Sequence, residues 1–143
     1  MPTVPDYGQI IEAAKQTHGI RVRRWRSHMS GCAWRVVYSD GSVINWIESP
    51  RPRSPVSLAI FLHEVGHHVI GFSRYRLRCE EEYHAWAWAI NEMIRQGVRP
   101  DLRTMRRFDR SMRYAVAKAR RRGLKRLPGC LRSFEPMPPA SAA

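Results

Sequence analysis

The sequence has few cysteines, and their number is odd. Cys32, Cys79 and Cys130 are widely separated, and no Cys-x-x-Cys pair occurs among the 143 residues. This usage argues against a disulfide framework and is typical of proteins from a reducing compartment. We therefore predict a cytoplasmic protein.

Long apolar segments are also missing. No run of residues reaches the roughly 18–20 apolar positions that a membrane-spanning helix needs, so we expect no transmembrane segment. The first ten residues, MPTVPDYGQI, have neither a basic n-region nor an apolar h-region, and we expect no signal peptide. The length and the hydrophobic content of 43% suit one domain with a hydrophobic core.

Acidic residues are scarce in one part of the chain. Residues 99–132 hold 13 Lys and Arg but only 2 Asp, a net charge of +11 out of the total of +13. Residues 1–98 hold 12 basic and 9 acidic residues, a net charge of +3, and Glu135 accounts for the remaining charge. The basicity therefore belongs mainly to a C-terminal segment, which could contact nucleic acid, an acidic protein surface or a membrane surface.

The hydrophobic pattern predicts an α+β fold. The segments 33–38 and 43–48 alternate in polarity around the turn SDGS and are expected to pair as a β-hairpin. Helices are expected where apolar residues recur every three to four positions. The predicted order is an N-terminal helix between Asp6 and Gly19, a small three-stranded antiparallel sheet, and three further helices, with strands at 20–26, 33–38 and 43–48 and helices at about 56–71, 79–97 and 101–122.

The first of these later helices contains the sequence HEVGH, residues 63–67. His63 and His67 are four residues apart, so both imidazoles project from one helix face and can reach one ion. Glu64 lies on the rim of the same face, where it can reach a metal-activated water and accept its proton. Gly66 has no side chain and could let a neighbouring helix pack close to the metal. The H-E-x-x-H pattern thus predicts Zn2+ at the two histidines, with Glu64 as the general base.

A catalytic zinc ion usually has three protein ligands, so the motif needs a third one. The metzincin continuation fails, because Ile70 and Ser73 occupy the positions of its glycine and its last histidine. Three glutamates at 80–82 lie 13 to 15 residues after His67, at the start of the next helix. An antiparallel helix would bring one of them over the metal. Their plainer interpretation is that acidic side chains stabilise a helix N-terminus.

Two polar side chains follow these glutamates. Tyr83 and His84 would lie near the metal, and either could donate a hydrogen bond to a developing oxyanion, although a packed side chain is the plainer interpretation of Tyr83. His68 is displaced by about 100° from His67 around the helix, so we expect it to be packed or exposed rather than to bind the metal.

The sequence HEVGH followed by EYHAWAWA resembles the gluzincin arrangement, in which the HExxH helix is completed by a glutamate in an E-x-x-A context on the next helix. The chain is similar, over about residues 6–95, to the small intracellular peptidases of the ImmA/IrrE type, which phages and mobile elements often encode. The resemblance implies a minimal zincin-like fold, and it implies that His63 and His67 are ligands and Glu64 is the base.

The resemblance also implies the identity of the third ligand. Ala85 follows Glu82 by three residues, which makes Glu82 the metal-binding glutamate and leaves Glu81 in reserve. The aspartate or asparagine that relatives often carry after this alanine is Trp86 here. Such relatives typically cleave a repressor or regulator protein. We therefore predict zinc-dependent hydrolysis of peptide bonds in a regulatory protein.

The predicted domain organisation follows from this assignment. Residues 1–98 form a zincin-like metallopeptidase domain, residues 99–132 form a basic helical segment packed on it, and residues 133–143, rich in proline and alanine, form a disordered tail.

Two features have alternative interpretations. Residues 99–132 combine an apolar stripe with a dense cationic face, which could bind nucleic acid or an acidic protein, or could be a solvated surface. A nucleic-acid- or partner-binding protein with a structural or inactive metal site is therefore the alternative to a peptidase. The strand 43–48 is either an edge strand that pairs with extended substrate, as in gluzincins, or only the last strand of the sheet.

Overall fold

A computed structural model describes residues 5–136 of the chain. The elements follow the predicted order and confirm the α+β class. They are α1 (Tyr7–His18), β1 (Ile20–Arg26), β2 (Cys32–Val37), β3 (Val43–Pro50), α2 (Pro55–Ile70), α3 (Arg78–Arg95), α4 (Leu102–Arg121) and a 3-10 helix (Gly129–Phe134). Within the described range, no helix is both long and apolar enough to cross a membrane.

The sheet has the strand order β1-β3-β2 and is mixed. The predicted hairpin is present, with β2 antiparallel to β3, but β1 runs parallel to β3. The prediction of a fully antiparallel sheet is therefore wrong. After β1 the chain crosses the C-terminal end of β3 through residues 27–31, here called the crossing loop, and enters β2 on the far side.

Burial explains why β3 takes the central position. Its second half, Ile47–Pro50, is buried, whereas β1 and β2 keep several exposed residues. A central strand is paired along both of its edges, so the most buried strand belongs there, and charged residues belong on edge strands. Because β3 is central, it cannot be the edge strand that pairs with an extended substrate.

Helix α2 forms the centre of the molecule and contacts α3, β3, β2, α1 and α4. All eleven residues from Ser57 to His67 are buried, so the helix is enclosed on every side rather than amphipathic. Leu58, Phe61 and Leu62 are completely buried in the core. The HEVGH motif therefore lies in the last two turns of a helix that the whole fold holds in place.

The start and the end of α2 are set by local signals. The Ser54 hydroxyl accepts a hydrogen bond from the Ser57 amide, and the Ser57 hydroxyl accepts one from the Ser54 amide at 3.0 Å. Pro55 occupies the first turn, where its missing amide hydrogen costs no helical hydrogen bond. Gly71 follows the last turn with a φ of 85°, which residues with a side chain rarely adopt. These signals position His63 and His67 along the helix.

The basic C-terminal segment is part of the core. Helix α4 packs on α3 and α2 and buries Thr104, Met112 and Val116. The 3-10 helix that follows buries Leu131 and Phe134. Ordered structure thus continues past residue 133, where the tail was predicted to begin, because the Phe134 ring packs against Phe108. Residues 137–143 of that tail lie outside the described residues.

A buried carboxylate joins β1 to β3. Glu48 on β3 is 5% exposed, and it accepts hydrogen bonds from Arg26 at 2.9 Å and from Arg23 at 3.0 Å. Arg24 also approaches it, at 3.9 Å. The register shifts between Val22 and Arg24, and this bulge lets consecutive arginines reach one carboxylate. The hydrogen bond from Arg26, together with that from Arg23, outweighs burial and lowers the pKa of Glu48 below its ordinary value.

We expect Glu48→Gln to lower the melting temperature near neutral pH, because a neutral amide leaves the arginines without their counter-charge. The pKa of Glu48 is lower in the folded state than in the unfolded state. Its contribution to stability is therefore present above its ordinary pKa of 4.5 and is lost as the pH falls through the folded value. The gap in melting temperature between wild type and variant should narrow with acidification.

Glu12→Gln is the matched control, because Glu12 forms only an exposed pair with Lys15 and should contribute little. Melting curves of the three proteins from neutral to acidic pH check this expectation. A Glu48→Gln protein as stable as wild type at neutral pH would contradict it.

Candidate metal centre

The two motif histidines lie side by side on the face of α2 that meets α3. Their ring centroids are 4.7 Å apart, and both side chains are buried. Helix α3 follows in contact with α2 and carries the three glutamates in its first turns. The predicted approach of an acidic helix to the motif is therefore present.

Glu82 is the glutamate that meets both histidines. Its Oε2 lies 2.9 Å from His63 Nε2, and its Oε1 lies 3.3 Å from His67 Nε2. One ligand atom from each of these three residues lies within 4.8 Å of the other two. The structure therefore brings together the three residues expected as ligands, and this cluster could bind a metal ion.

The donor set and its dimensions fit zinc. Two imidazole nitrogens and one carboxylate oxygen form a common set of protein ligands at catalytic zinc sites. Atoms that each lie about 2.0–2.1 Å from a tetrahedral zinc ion are roughly 3.3–3.4 Å apart. One carboxylate oxygen of Glu82 lies 2.9 Å from His63 Nε2 and the other lies 3.3 Å from His67 Nε2, so the carboxylate meets both nitrogens at about this spacing.

Glu81, the reserve ligand, faces the other nitrogen of His67. Its Oε2 lies 3.1 Å from His67 Nδ1 and accepts a hydrogen bond from Arg78 at 2.7 Å. A carboxylate on Nδ1 keeps the proton there and leaves Nε2 free to bind a metal. Glu81 is therefore placed to orient His67, whereas Glu82 meets both imidazoles. Arg78 also approaches Glu82, at 3.2 Å.

Gly66 allows the close contact between the two helices. A Cβ atom at this position would lie 2.8 Å from the carbonyl oxygen of Ala85 and 3.2 Å from the Trp88 ring. The first distance is shorter than a carbon and a backbone oxygen tolerate, so only glycine fits without movement of α3. Since Glu81 and Glu82 precede Ala85 on the same helix, this contact also sets their distance from the histidines.

Trp86 packs against the first ligand. Its ring stacks on the His63 imidazole with a centroid distance of 4.4 Å and an interplanar angle of 15°. The side chain is 1% exposed, and its indole nitrogen has no hydrogen-bond partner among the described residues. At the position where the peptidases that the sequence resembles often carry aspartate or asparagine, this chain has an aromatic ring that packs flat on His63.

The predicted base is buried beside the ligands. Glu64 is 4% exposed, and its Oε1 lies 3.1 Å from His63 Nδ1. The crossing loop covers its other side, because a Cβ at Gly31 would lie 2.8 Å from Glu64 Cγ and 2.6 Å from the Glu48 carbonyl oxygen. The sequence analysis missed this contact, and the glycine just before β2 was its only signal.

The charges of the cluster shift the pKa values of its members. Burial disfavours the charged form of His63, but the carboxylates of Glu64 and Glu82 outweigh it and raise the pKa to about 9. Burial alone would raise the pKa of Glu82, but its contacts with His63 and His67 hold it well below its ordinary value. These contacts favour a protonated His63 beside an ionised Glu82.

A large cavity opens onto the cluster. Its volume is about 880 Å³, and its lining includes His63, Glu64, Glu82 and Trp86. Helix α4 supplies much of the remaining wall, and the crossing loop contributes Ser30 and Gly31. We call it the metal-site cavity. The sequence analysis treated the basic helix as a segment packed on the domain and missed that it lines this cavity.

The two tentative oxyanion donors make aromatic contacts. The Tyr83 ring packs near Phe108 and Phe134, and the His84 ring stacks on Tyr75 at 4.2 Å. Within residues 5–136, neither side chain lines the metal-site cavity. The geometry therefore gives the predicted catalytic role of Tyr83 and His84 no support.

His68 has a structural contact. Its Nε2 lies 2.9 Å from the carbonyl oxygen of Trp46 and ties α2 to β3. Burial lowers the pKa of this imidazole, so the neutral form donates to the carbonyl.

Comparisons with protein-family models, with curated proteins and with solved structures found no match to this chain. The functional interpretation therefore depends on the geometry of the site.

The different positions of Glu81 and Glu82 predict different effects of the same substitution. Glu82→Gln should abolish stoichiometric metal binding, because it removes a ligand charge. Glu81→Gln should keep one metal ion per chain but weaken the affinity by roughly ten- to a hundred-fold, since it disturbs only an orienting hydrogen bond. Titration with zinc against a competing chelator measures both effects. Loss of the metal from Glu81→Gln and its retention by Glu82→Gln would reverse the assignment.

Gly66→Ala tests the close contact of the helices. In the interior of an exposed helix this change usually stabilises, by about 1 kcal/mol. Here the new methyl group would displace the Ala85 carbonyl, so we expect a lower melting temperature and weaker zinc binding. Gly129→Ala is the control, because a Cβ there meets no atom within 4 Å. A Gly66→Ala protein as stable as wild type that binds zinc equally well would contradict the account.

Proposed function

We propose that this chain is a zinc-dependent peptidase. The carrying observation is that His63, His67 and Glu82 converge while Glu64 lies in the same cavity wall. These residues match the HExxH-plus-glutamate arrangement of the peptidases that the sequence resembles. Hydrolysis at zinc requires two imidazoles and one carboxylate as ligands, and a second carboxylate nearby that does not bind the metal.

The proposed reaction is hydrolysis of a peptide bond. When bound, zinc would polarise the substrate carbonyl and acidify water. Glu64 would take the proton from the attacking water as the new carbon–oxygen bond forms, and would pass that proton to the amide nitrogen as the carbon–nitrogen bond breaks. Gly31 and the buried surroundings of Glu64 keep its carboxylate in place for both transfers.

A regulatory protein is the substrate that the resemblance suggests, and a cytoplasmic location stays a prediction. Extended substrate would have to pair elsewhere than on β3, which is flanked on both sides. The outer edge of β2 carries no further strand in the described part of the chain, and β2 begins directly after Gly31 of the cavity lining. β1 is also an edge strand, but β2 starts at the cavity, so β2 is the edge that we propose for substrate pairing.

Glu64→Gln separates catalysis from metal binding. We expect the variant to retain one zinc ion per chain, because it keeps all three ligands, and to lose cleavage by about 10²–10⁴-fold, because the amide cannot take up the proton. Cleavage is followed by mass spectrometry on peptides from a digested cell extract. Glu80→Gln is the control, since Glu80 lies outside the ligand cluster, and it should cleave like wild type.

The two outcomes that would contradict the proposal are distinct. If the reconstituted wild-type protein does not hold one zinc ion per chain, the cluster is not a zinc site. Equal cleavage by wild type and Glu64→Gln would show that Glu64 is not the base.

The alternative function is binding of nucleic acid or of an acidic partner, and the charge of α4 favours it. Deleting residues 99–132 cannot test it, because Met112, Val116 and Leu131 belong to the core. Substitutions of exposed arginines are the suitable test. Nucleic-acid binding that weakens steeply with salt and survives Glu64→Gln would support this alternative.

A further inference from the structure

One face of α4 lines the metal-site cavity. The lining residues recur every three to four positions along the helix, so they form one continuous stripe. The cationic members of this stripe are Arg107, Arg110 and Lys118, and Arg122 extends it just beyond the helix. Four basic groups therefore share a cavity with His63, Glu82 and Glu64.

Most of these cations have no carboxylate partner. Two arginines of α4 that do not line the cavity are paired, Arg113 with Asp109 and Arg120 with Glu135. Within residues 5–136, the cavity cations Arg110, Lys118 and Arg122 form no ion pair. They lie along one face of the helix, and an anionic ligand would offset their combined charge.

Arg107 has a different task from the other three. Its guanidinium donates hydrogen bonds to the carbonyl of Met29 and to the Ser111 hydroxyl. The first bond ties α4 to the crossing loop that covers Glu64. Arg107 therefore holds two walls of the cavity together, while Arg110, Lys118 and Arg122 remain for a ligand.

The arrangement favours a peptide over a nucleic acid. Tyr114, Ala115 and Ala119 lie among the cations on the same wall, where they suit apolar side chains. Every nucleotide carries a phosphate, so a polynucleotide would also place charge beside the carboxylates of Glu64 and Glu82. A peptide can present a neutral backbone bond to that part of the cavity and place its carboxylates on α4.

We propose that the metal-site cavity selects peptide segments rich in aspartate and glutamate, which bind along Arg110, Lys118 and Arg122 while a neutral peptide bond lies at the metal site. This inference deepens the proposed function and rests on it. The acidic side chains flank the bond that is cleaved, and Tyr114 packs against apolar side chains between them.

Binding to a non-cleaving protein tests the inference directly. The protein is the zinc-loaded Glu64→Gln full chain, and the probe is a fluorescein-labelled peptide in which glutamate alternates with alanine and leucine. The comparison peptide carries glutamine in place of every glutamate. We expect tighter binding of the glutamate peptide by about ten-fold or more, with affinity that falls as salt rises.

Charge reversal locates the binding surface. Arg110→Glu with Arg122→Glu should weaken binding of the glutamate peptide by about ten-fold or more. Arg103→Glu with Arg106→Glu is the matched control, because both residues are exposed on α4, outside the cavity lining, and the change in net charge is identical. It should change the affinity less than two-fold or so. Circular dichroism checks that each variant is folded. If the Arg110→Glu, Arg122→Glu protein is not, the milder Arg110→Gln with Arg122→Gln takes its place.

Several outcomes would overturn the inference. Equal losses in both double variants would show only a general attraction to a basic protein. Equal binding of the two peptides would show that the cavity does not prefer acidic peptides. Single-stranded DNA that binds more tightly than the glutamate peptide, and loses affinity in the Arg110/Arg122 variant, would assign the surface to nucleic acid.

The failure of this inference and the failure of the proposed function are distinguishable. If the protein with Glu64 intact cleaves peptides in a zinc-dependent way but without preference for acidic ones, the proposed peptidase function stands and the proposed selectivity is wrong. Specific binding of the glutamate peptide by a chain that takes up no zinc would support the anion-binding surface and contradict the proposal of a zinc peptidase.

Discussion

The close approach of α2 and α3 at Gly66 is the constraint on which the site depends. With no Cβ in the way, the Ala85 carbonyl lies against α2, and the preceding turn of α3 brings Glu82 between two imidazoles. The same contact sets Glu81 behind His67 and the Trp86 ring on His63. Three side-chain positions thus follow from one missing side chain, and a wider gap would separate the donor atoms beyond the reach of one ion.

The charges of this very basic protein are sorted by position. Buried carboxylates are stable only with partners, and those here have them: Glu48 has the arginines of β1, Glu64 has His63, and Glu81 has Arg78. Partly buried Glu82 has two histidines. The other wall of the cavity includes Arg110, Lys118 and Arg122, which form no ion pair within residues 5–136. An acidic centre suits a metal cation, and a basic wall suits an anionic peptide. Both properties therefore coexist in one cavity without cancelling.

The sequence was sufficient for what is local. Periodicity and caps located the helices, and the i, i+4 spacing put His63 and His67 on one face. The resemblance supplied Glu82, which now lies on both histidines. Long-range features were not accessible in this way. The parallel pairing of β1 with β3 depends on which strand is buried, and no local signal reports this. The contact of Gly31 with Glu64 joins parts of the chain that are far apart in sequence. The basic stripe of α4 was visible, but the cavity it lines appears only when three helices pack together.

Anomalous diffraction at the zinc edge, from crystals of the wild-type chain grown with zinc, tests the central claim most directly. The account predicts one strong peak bounded by His63 Nε2, His67 Nε2 and a carboxylate oxygen of Glu82, each about 2.0–2.1 Å from the ion. The Glu81 carboxylate should remain on His67 Nδ1, outside the ligand sphere. No peak between these residues in zinc-saturated crystals, or a single peak elsewhere on the chain, would contradict the account.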